Sequence, residues 1–404
     1  MRSIFRLVIM AAWLVGCAEA TWDLDAAREA SLDQVLQSAV AAGDAPGVVA
    51  LVTTSDSVLY HRAYGVLDPV GEVAMRSDAI FLLASMTKPI TSLGIMMLVE
   101  EGLIGLDEPA SRYLPELKDR PVLVSVDSVS RTAMTRPAVR EVTVRDLLRH
   151  TSGFGYGFAS SQVLDLTAHT DIPAPMQPLL HDPGARWTYG MGTAHLGWIL
   201  EEVTGTSLAQ FLQARIFGPL GMVDTSYDLT PEKSVRLVAQ FRRQGEQLTA
   251  SPRPDSIRGV ARGDGGLLST AADYARFMQL VLGRGEREGV RLISEASWTE
   301  MTSNQLGDLT VVEQPGADPA RSAPFPLGAG RDGFSLGFQV AQGDGPDGRA
   351  DGSLSWAGLQ NTHFWIDPRN GIGVVLLFQV LPFYDPQIIA VLREFERTLY
   401  GTQE

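Results

Sequence analysis

Strand-like sequence is gathered at the two ends of this chain, and that separation limits the folds open to it. Near the start, Gly47-Val-Val-Ala-Leu-Val-Thr53 and Val58-Leu-Tyr-His-Arg-Ala-Tyr-Gly65 flank Thr54-Ser-Asp-Ser57, the pattern of a β-hairpin. Near the end come apolar runs at 337–341, 354–356, 362–366 and 371–379, parted by turns such as Asp367-Pro-Arg-Asn-Gly371. Between them the apolar spacing is helical: Ser85 to Glu101, stopping at Gly102, then Val142 to His150, His195 to Thr204 and Leu208 to Phe217. Two more helices are predicted over Leu24–Ala42 and from about Pro386 to Tyr400. Strands with short connections pair antiparallel, so the two ends are expected to meet in one antiparallel β-sheet flanked by helices. The expected class is α/β, with a helical lobe at about 90–260 inserted beside the sheet. The Pro/Gly-rich stretches 314–333 and 343–352 read as surface loops.

The first residues stand apart from this fold. Arg2 and Arg6 precede the apolar run Leu7–Val15, a charged start and a short apolar core of the kind that directs export. The run is too short for a membrane span of about 20 residues. Cys17, the single cysteine of the chain, follows Leu14-Val15-Gly16, which resembles the lipobox of bacterial lipoproteins, where the cysteine is lipidated. The competing reading is cleavage after Ala18-Glu19-Ala20, leaving Thr21 as the new N-terminus. The expected organisation is a signal peptide over 1–16 (1–20 in the competing reading), a tether over 17–29 and a catalytic domain over 30–400. One cysteine excludes a disulfide within the chain.

Charge narrows the partners. The net charge of −14 becomes −16 once residues 1–16, with two arginines and no acid, are removed. Nucleic acid binding needs a basic surface to displace counterions, so it is excluded as an expectation. The six histidines include no His-Glu-x-x-His and no close pair, and Gly263-Asp-Gly-Gly266 lacks the strand–helix context and lysine of a phosphate loop. No metal or organic cofactor is expected.

Two serine motifs compete for the chemistry. Gly333-Phe334-Ser335-Leu336-Gly337 has the form of a nucleophile elbow, but such an elbow needs a strand before the serine and a helix after it. Here a glycine-rich loop precedes and a strand follows. The other motif is Ser85-Met86-Thr87-Lys88 at a helix start, where residues i and i+3 have Cβ atoms about 5–6 Å apart. Lysine is a base at neutral pH only if its pKa falls from about 10.4, and a drop of about three units costs roughly 4 kcal/mol. Desolvation by Phe81, Leu82 and Leu83, with the positive helix end, acts in that direction. Pro89 fits only a first helical turn, where the Ser85 N–H is free to bind an oxyanion. Tyr189, in a turn before a helix, can shuttle a proton if it is kept ionised or well hydrogen-bonded. Ser355-Trp356-Ala357-Gly358-Leu359 ends a strand with small residues against which a substrate can lie. His150 is read as structural.

These motifs, with Gly105-Leu-Asp-Glu-Pro109, Asp146-Leu-Leu-Arg-His-Thr-Ser-Gly153, Phe217-Gly-Pro-Leu-Gly-Met222 and Gly265-Gly-Leu-Leu-Ser-Thr-Ala-Ala-Asp273, resemble the serine β-lactamase and penicillin-binding-protein superfamily. The nearer branch is that of class C β-lactamases, D-alanyl-D-alanine carboxypeptidases and their esterase relatives, and the likeness runs over about 30–398. It implies Ser85 as acylated nucleophile, Lys88 as its base, Tyr189 as second-motif tyrosine, and the N–H groups of Ser85 and Leu359 as oxyanion hole. It also implies that Met191, Trp356, Ala357 and Gly358 line the substrate. Two departures stand out. Position 191 is methionine where lactamases of this branch carry asparagine, and Trp356 replaces the cation that opens the third motif. Both favour a neutral apolar acyl group, and the combination resembles the family VIII carboxylesterases. The expectation is therefore an exported serine hydrolase that cleaves small carboxylic esters. Its alternatives are lactam, D-Ala-D-Ala or acyl-transfer chemistry, and an inactive envelope binding protein. Ala18 after the cysteine points to a periplasm-facing, outer-membrane position, with the membrane met only through the lipid.

Overall fold

The computed structural model describes residues 22–70 and 72–402; the segment read as an export signal and Cys17 lie outside the described residues. Helix α1 (Ala26–Ala42) starts at Asp25, whose carboxylate accepts the Arg28 N–H, and stops at Gly43 with φ 81°. Strand β1 (Gly47–Thr53) follows, then β2 (Val58–Asp68) and β3 (Val73–Ala74). Helix α2 (Thr87–Glu100) carries Pro89 in its first turn. Later elements that place the site are α3 (Gly192–Thr204), α4 (Ala271–Leu282), β4 (Gly333–Phe334), β5 (Gln339–Val340), β6 (Leu354–Gly358), β7 (Thr362–Asp367), β8 (Ile372–Leu377) and α5 (Pro386–Tyr400).

Eight strands form one antiparallel sheet in the order β4-β5-β6-β7-β8-β1-β2-β3. Strand β1 pairs on one edge with β2 and on the other with β8, Val49 lying opposite Leu377 and Thr53 opposite Gly373. The two ends of the chain therefore meet at the centre of the sheet. Strand β1 is buried along its whole length, because alternate residues serve two cores. Val48, Ala50 and Val52 pack with Trp365, Leu376, Leu392 and Phe395 on the rear, under α1 and α5. Val49 and Leu51 join the larger front core with Phe364 and residues of α2, α3 and α4. Helix α2 has no exposed face until Val99, as a helix hydrophobic all round must.

Short elements differ from the sequence expectation. The strand predicted over 337–341 is the two-residue β5, and Ser335 occupies a turn between β4 and β5. Between 90 and 260 lie two hairpins, Val122–Asp127 with Thr132–Arg136 and Phe241–Gln244 with Gln247–Ala250. Residues of the first are largely exposed, and the run Val122-Leu-Val-Ser-Val126 is a strand signal that the sequence reading passed over. The second joins Val380–Leu381 in a small three-stranded sheet.

Candidate active site

The segment before α2 sets the nucleophile. Ala84 has φ 43°, in the left-handed region that an L-residue enters only at a cost, and a 3-10 turn over Ala84–Met86 follows. The expected continuous helix thus begins with a tight turn, which leaves Ser85 half-buried at the end of α2. Three anchors fix this turn. The Leu83 N–H donates to the Leu267 carbonyl (2.8 Å), the buried Tyr274 hydroxyl donates to the Met86 carbonyl (3.1 Å), and β6 lies against Leu83. Gly358 permits that last approach: a Cβ there would sit 2.2 Å from the Leu83 oxygen.

Ser85, Lys88 and Tyr189 come together. The Lys88 Nζ lies 2.9 Å from Ser85 Oγ and donates to the Asp264 carbonyl oxygen at 2.8 Å. The Tyr189 hydroxyl lies 2.6 Å from the same Oγ and accepts from Trp356 Nε1 at 3.4 Å. Lys88 is 2 % exposed, with its Nζ 4.8 Å from the ring centre of Tyr189 and 5.2 Å from that of Tyr156. Burial pushes its pKa down to about 7, with the Asp264 charge opposing and Arg262 assisting. Burial pushes the Tyr189 phenol up, so it is a hydrogen-bonded neutral group and not an ionised one. Lys88 faces its ring and Ser85 and Trp356 hold its oxygen.

Trp356 stands on β6 with its ring 4.9 Å from Tyr189. His150, with φ 60°, has its ring 5.0 Å from Tyr189 and lies stacked at 6.4 Å from Trp356. Burial drives the His150 pKa well below its usual value, and the Lys88 charge acts the same way, so this wall is neutral. Ala357 and Gly358 are buried on the same strand. Met191 is 4 % exposed within the front core, and its carbonyl caps the turn into α3 by accepting the Ala194 N–H. Among the described residues the N–H groups of Ser85 and Leu359 donate to no side chain and to no carbonyl outside their own elements.

Three residues that sequence reasoning passed over complete the arrangement. Tyr156 donates to Asp264 Oδ2 at 2.5 Å, and Arg262 grips both Asp264 oxygens at 2.9 and 2.8 Å. Burial would raise the Asp264 pKa, yet the Arg262 bonds and the Lys88 charge hold it low. The signals available were the glycine–aromatic run Gly153–Phe158 and the glycines around Asp264. Ser335 has no part here. It is fully buried, its Oγ donating to the Phe338 carbonyl and accepting the Phe338 N–H, both at 3.2 Å. Among the described residues no group of three His, Cys, Asp or Glu side chains is placed to hold a metal.

A half-buried serine between a desolvated lysine and a buried tyrosine, beside the third strand of this sheet, defines a serine acyl-transfer centre. The beta-lactamase family profile matches residues 32–394, and the chain belongs to that family. Monacolin J acid methylbutanoyltransferase of Aspergillus terreus is 29% identical over 413 residues, covering 94% of this chain and 98% of its own. Esterase EstB of Burkholderia gladioli is 29% identical over 396 residues, 88% of this chain and 92% of its own. The unliganded structure of simvastatin synthase from Aspergillus terreus superposes with a TM-score of 0.80 at 26% identity, over 94% of this chain and 100% of that one. Esterases and acyltransferases are thus among the relatives of this protein.

Proposed function

We propose that the protein hydrolyses carboxylic esters of small molecules through an acyl-enzyme on Ser85. The observation that carries this reading is the pair of contacts on Ser85 Oγ, Lys88 Nζ at 2.9 Å and Tyr189 OH at 2.6 Å. A neutral amine has two N–H bonds and one lone pair. One N–H is taken by the Asp264 carbonyl, and the lone pair is free for the Ser85 proton. As Lys88 takes that proton, Oγ bonds to the ester carbonyl carbon, and the negative oxygen falls to the N–H groups of Ser85 and Leu359. Collapse breaks the ester C–O bond. The departing oxygen receives a proton from Tyr189, which recovers one from the Lys88 ammonium. Water then repeats the sequence on the acyl group.

Trp356 supports an uncharged acyl group, because an indole offers a face and one N–H where a carboxylate would need a cation. The test is a panel of short p-nitrophenyl esters, a chromogenic cephalosporin and a D-Ala-D-Ala peptide, with fluorophosphonate labelling mapped by peptide mass. Esters should give the highest kcat/KM and Ser85 should carry the label. A higher kcat/KM for the cephalosporin would sink the esterase reading, and folded protein without label would favour a binding role. A second reading, acyl transfer to an alcohol, is favoured by the wall of His150, Tyr156, Trp187 and Trp356 rings around Tyr189, which keeps water sparse. Transesterified product on adding an alcohol separates the two.

A further inference from the structure

Beside the strand that carries Trp356 lies a cavity of about 310 Å³; Trp356 and Ala357 border it, but neither Ser85, Lys88 nor Tyr189 lines it. Its origin is in the rear-face residues of β6. Trp356 points to the front, so Ser353, Ser355 and Ala357 share the rear, and all are small. Ser355 pairs with Trp365 and Ala357 with His363, and α5 crosses above through Leu392 and Glu396. Short side chains opposite a helix leave a gap.

The gap is not apolar. Ser353 is 1 % and His363 4 % exposed, and Ser353 Oγ and His363 Nε2 have no hydrogen-bond partner; nor has the buried Nε of Arg349. Arg349 is held over the Trp365 ring at 4.3 Å and paired to Glu396 at 2.6 Å, so its Nε direction is set by packing. Buried polar atoms without partners are rare in folded proteins, and three border this one cavity. The acids of the wall have no such vacancy: Asp332 accepts from Arg331 and Gln339, Asp347 from Arg393, and Glu396 from Arg349. Each of these arginines is matched by an acid, so an ionised ligand would bring an unmatched charge into a buried place. Burial keeps His363 neutral, its pKa pushed down to about 3.

We infer that this cavity is a second binding site, adjoining the ester site across Trp356 and Ala357 but not reaching Ser85, for a neutral hydroxyl- or carbonyl-bearing molecule about the size of a hexose. Arg349 Nε donates to it, while Ser353 Oγ and His363 Nε2 can each donate or accept. Phe383, stacked on His363 with ring centres 6.4 Å apart, supplies an apolar side.

The test uses protein whose Ser85 is already blocked by a fluorophosphonate, or Ser85→Ala protein, so that the front site is filled or inert. Saturation-transfer NMR is run with D-glucose as the neutral probe and butyrate as the charged one. D-Glucose should receive saturation, and Ser353→Ala should weaken its binding about five-fold, as loss of one hydrogen bond does. His363→Leu should abolish it, with thermal unfolding confirming that both variants are folded. Butyrate should bind more weakly than D-glucose. No transfer to D-glucose, meaning a cavity that holds water only, overturns the inference. Transfer unchanged in folded Ser353→Ala and stronger binding of butyrate overturn it as well. Failure of the ester panel leaves this result standing, since the readout does not depend on turnover.

Discussion

Lys88 is the residue on which activity and stability pull in opposite directions. Its pKa of about 7 in the fold compares with 10.5 when free, so between those values the unfolded chain binds a proton that the folded chain does not. Stability therefore rises with pH across that window, and the full penalty is present below pH 7. The shift corresponds to roughly 4–5 kcal/mol. Lys88→Met removes it but leaves the buried Asp264 carbonyl unpaired, which costs about 1–3 kcal/mol. The expected net is a variant about 1–4 kcal/mol more stable near pH 6, with the gain vanishing as the pH approaches 10, and activity lower by at least about 10³-fold. Denaturant titrations at both pH values check this; a less stable variant near pH 6 would contradict the desolvated lysine. In the wild type, kcat/KM should climb through pH 7 and level off above it. At this scale the sequence was legible wherever a helix or strand imposes the spacing. Ser85 and Lys88 are three apart on one turn, and Trp356 to Gly358 end one strand. Asp264 was not, because its link to Lys88 spans 176 residues and depends on a loop whose path no local pattern encodes.

Among the elements, β6 has the narrowest tolerance. It touches the nucleophile turn through Gly358, where an added Cβ would also sit 2.2 Å from Thr362 Oγ1. Neither neighbour is a flexible side-chain end, so Gly358→Ala must move the strand and the Leu359 N–H with it. The expected result is a kcat about 10²-fold lower, the scale of losing one oxyanion donor, with a smaller change in KM and a stability cost of about 1–3 kcal/mol. Steady-state kinetics beside circular dichroism measure both. If kcat stays within a few-fold of wild type, Leu359 does not serve the oxyanion. Long elements were readable because burial on both faces produces unbroken apolar runs, as in β1 and β8. The two-residue β4 and β5 were not. Ser335 and its bonds to Phe338 define that turn, and hydrogen bonding of this kind leaves no periodic trace.

For the molecule as a whole, we propose export and lipid attachment at Cys17, resting on Arg2, Arg6, the apolar run to Val15 and the Leu14-Val-Gly-Cys17 pattern. Several acyl chains on one residue hold a membrane stably where one does not. Cell fractionation should find the wild type in the membrane pool and Cys17→Ser in the soluble pool. A soluble wild type beginning at Thr21 would mean that cleavage after Ala20 prevailed. The antiparallel sheet was foreseen from strands at both chain ends; the hairpins of the middle were not, the polar strands Phe241–Gln244 and Gln247–Ala250 giving no apolar alternation and the run Val122–Val126 being passed over. The central place of β1 bears on the same journey. Its second edge is covered only by Ile372–Leu377, and its rear face, which α1 also meets, is completed only once Pro386–Tyr400 has docked. Synthesis runs from the N-terminus, and pairings this distant in sequence form slowly. A growing chain wired in this way cannot complete its central sheet until its last strands are made, a delay that would suit the export proposed above.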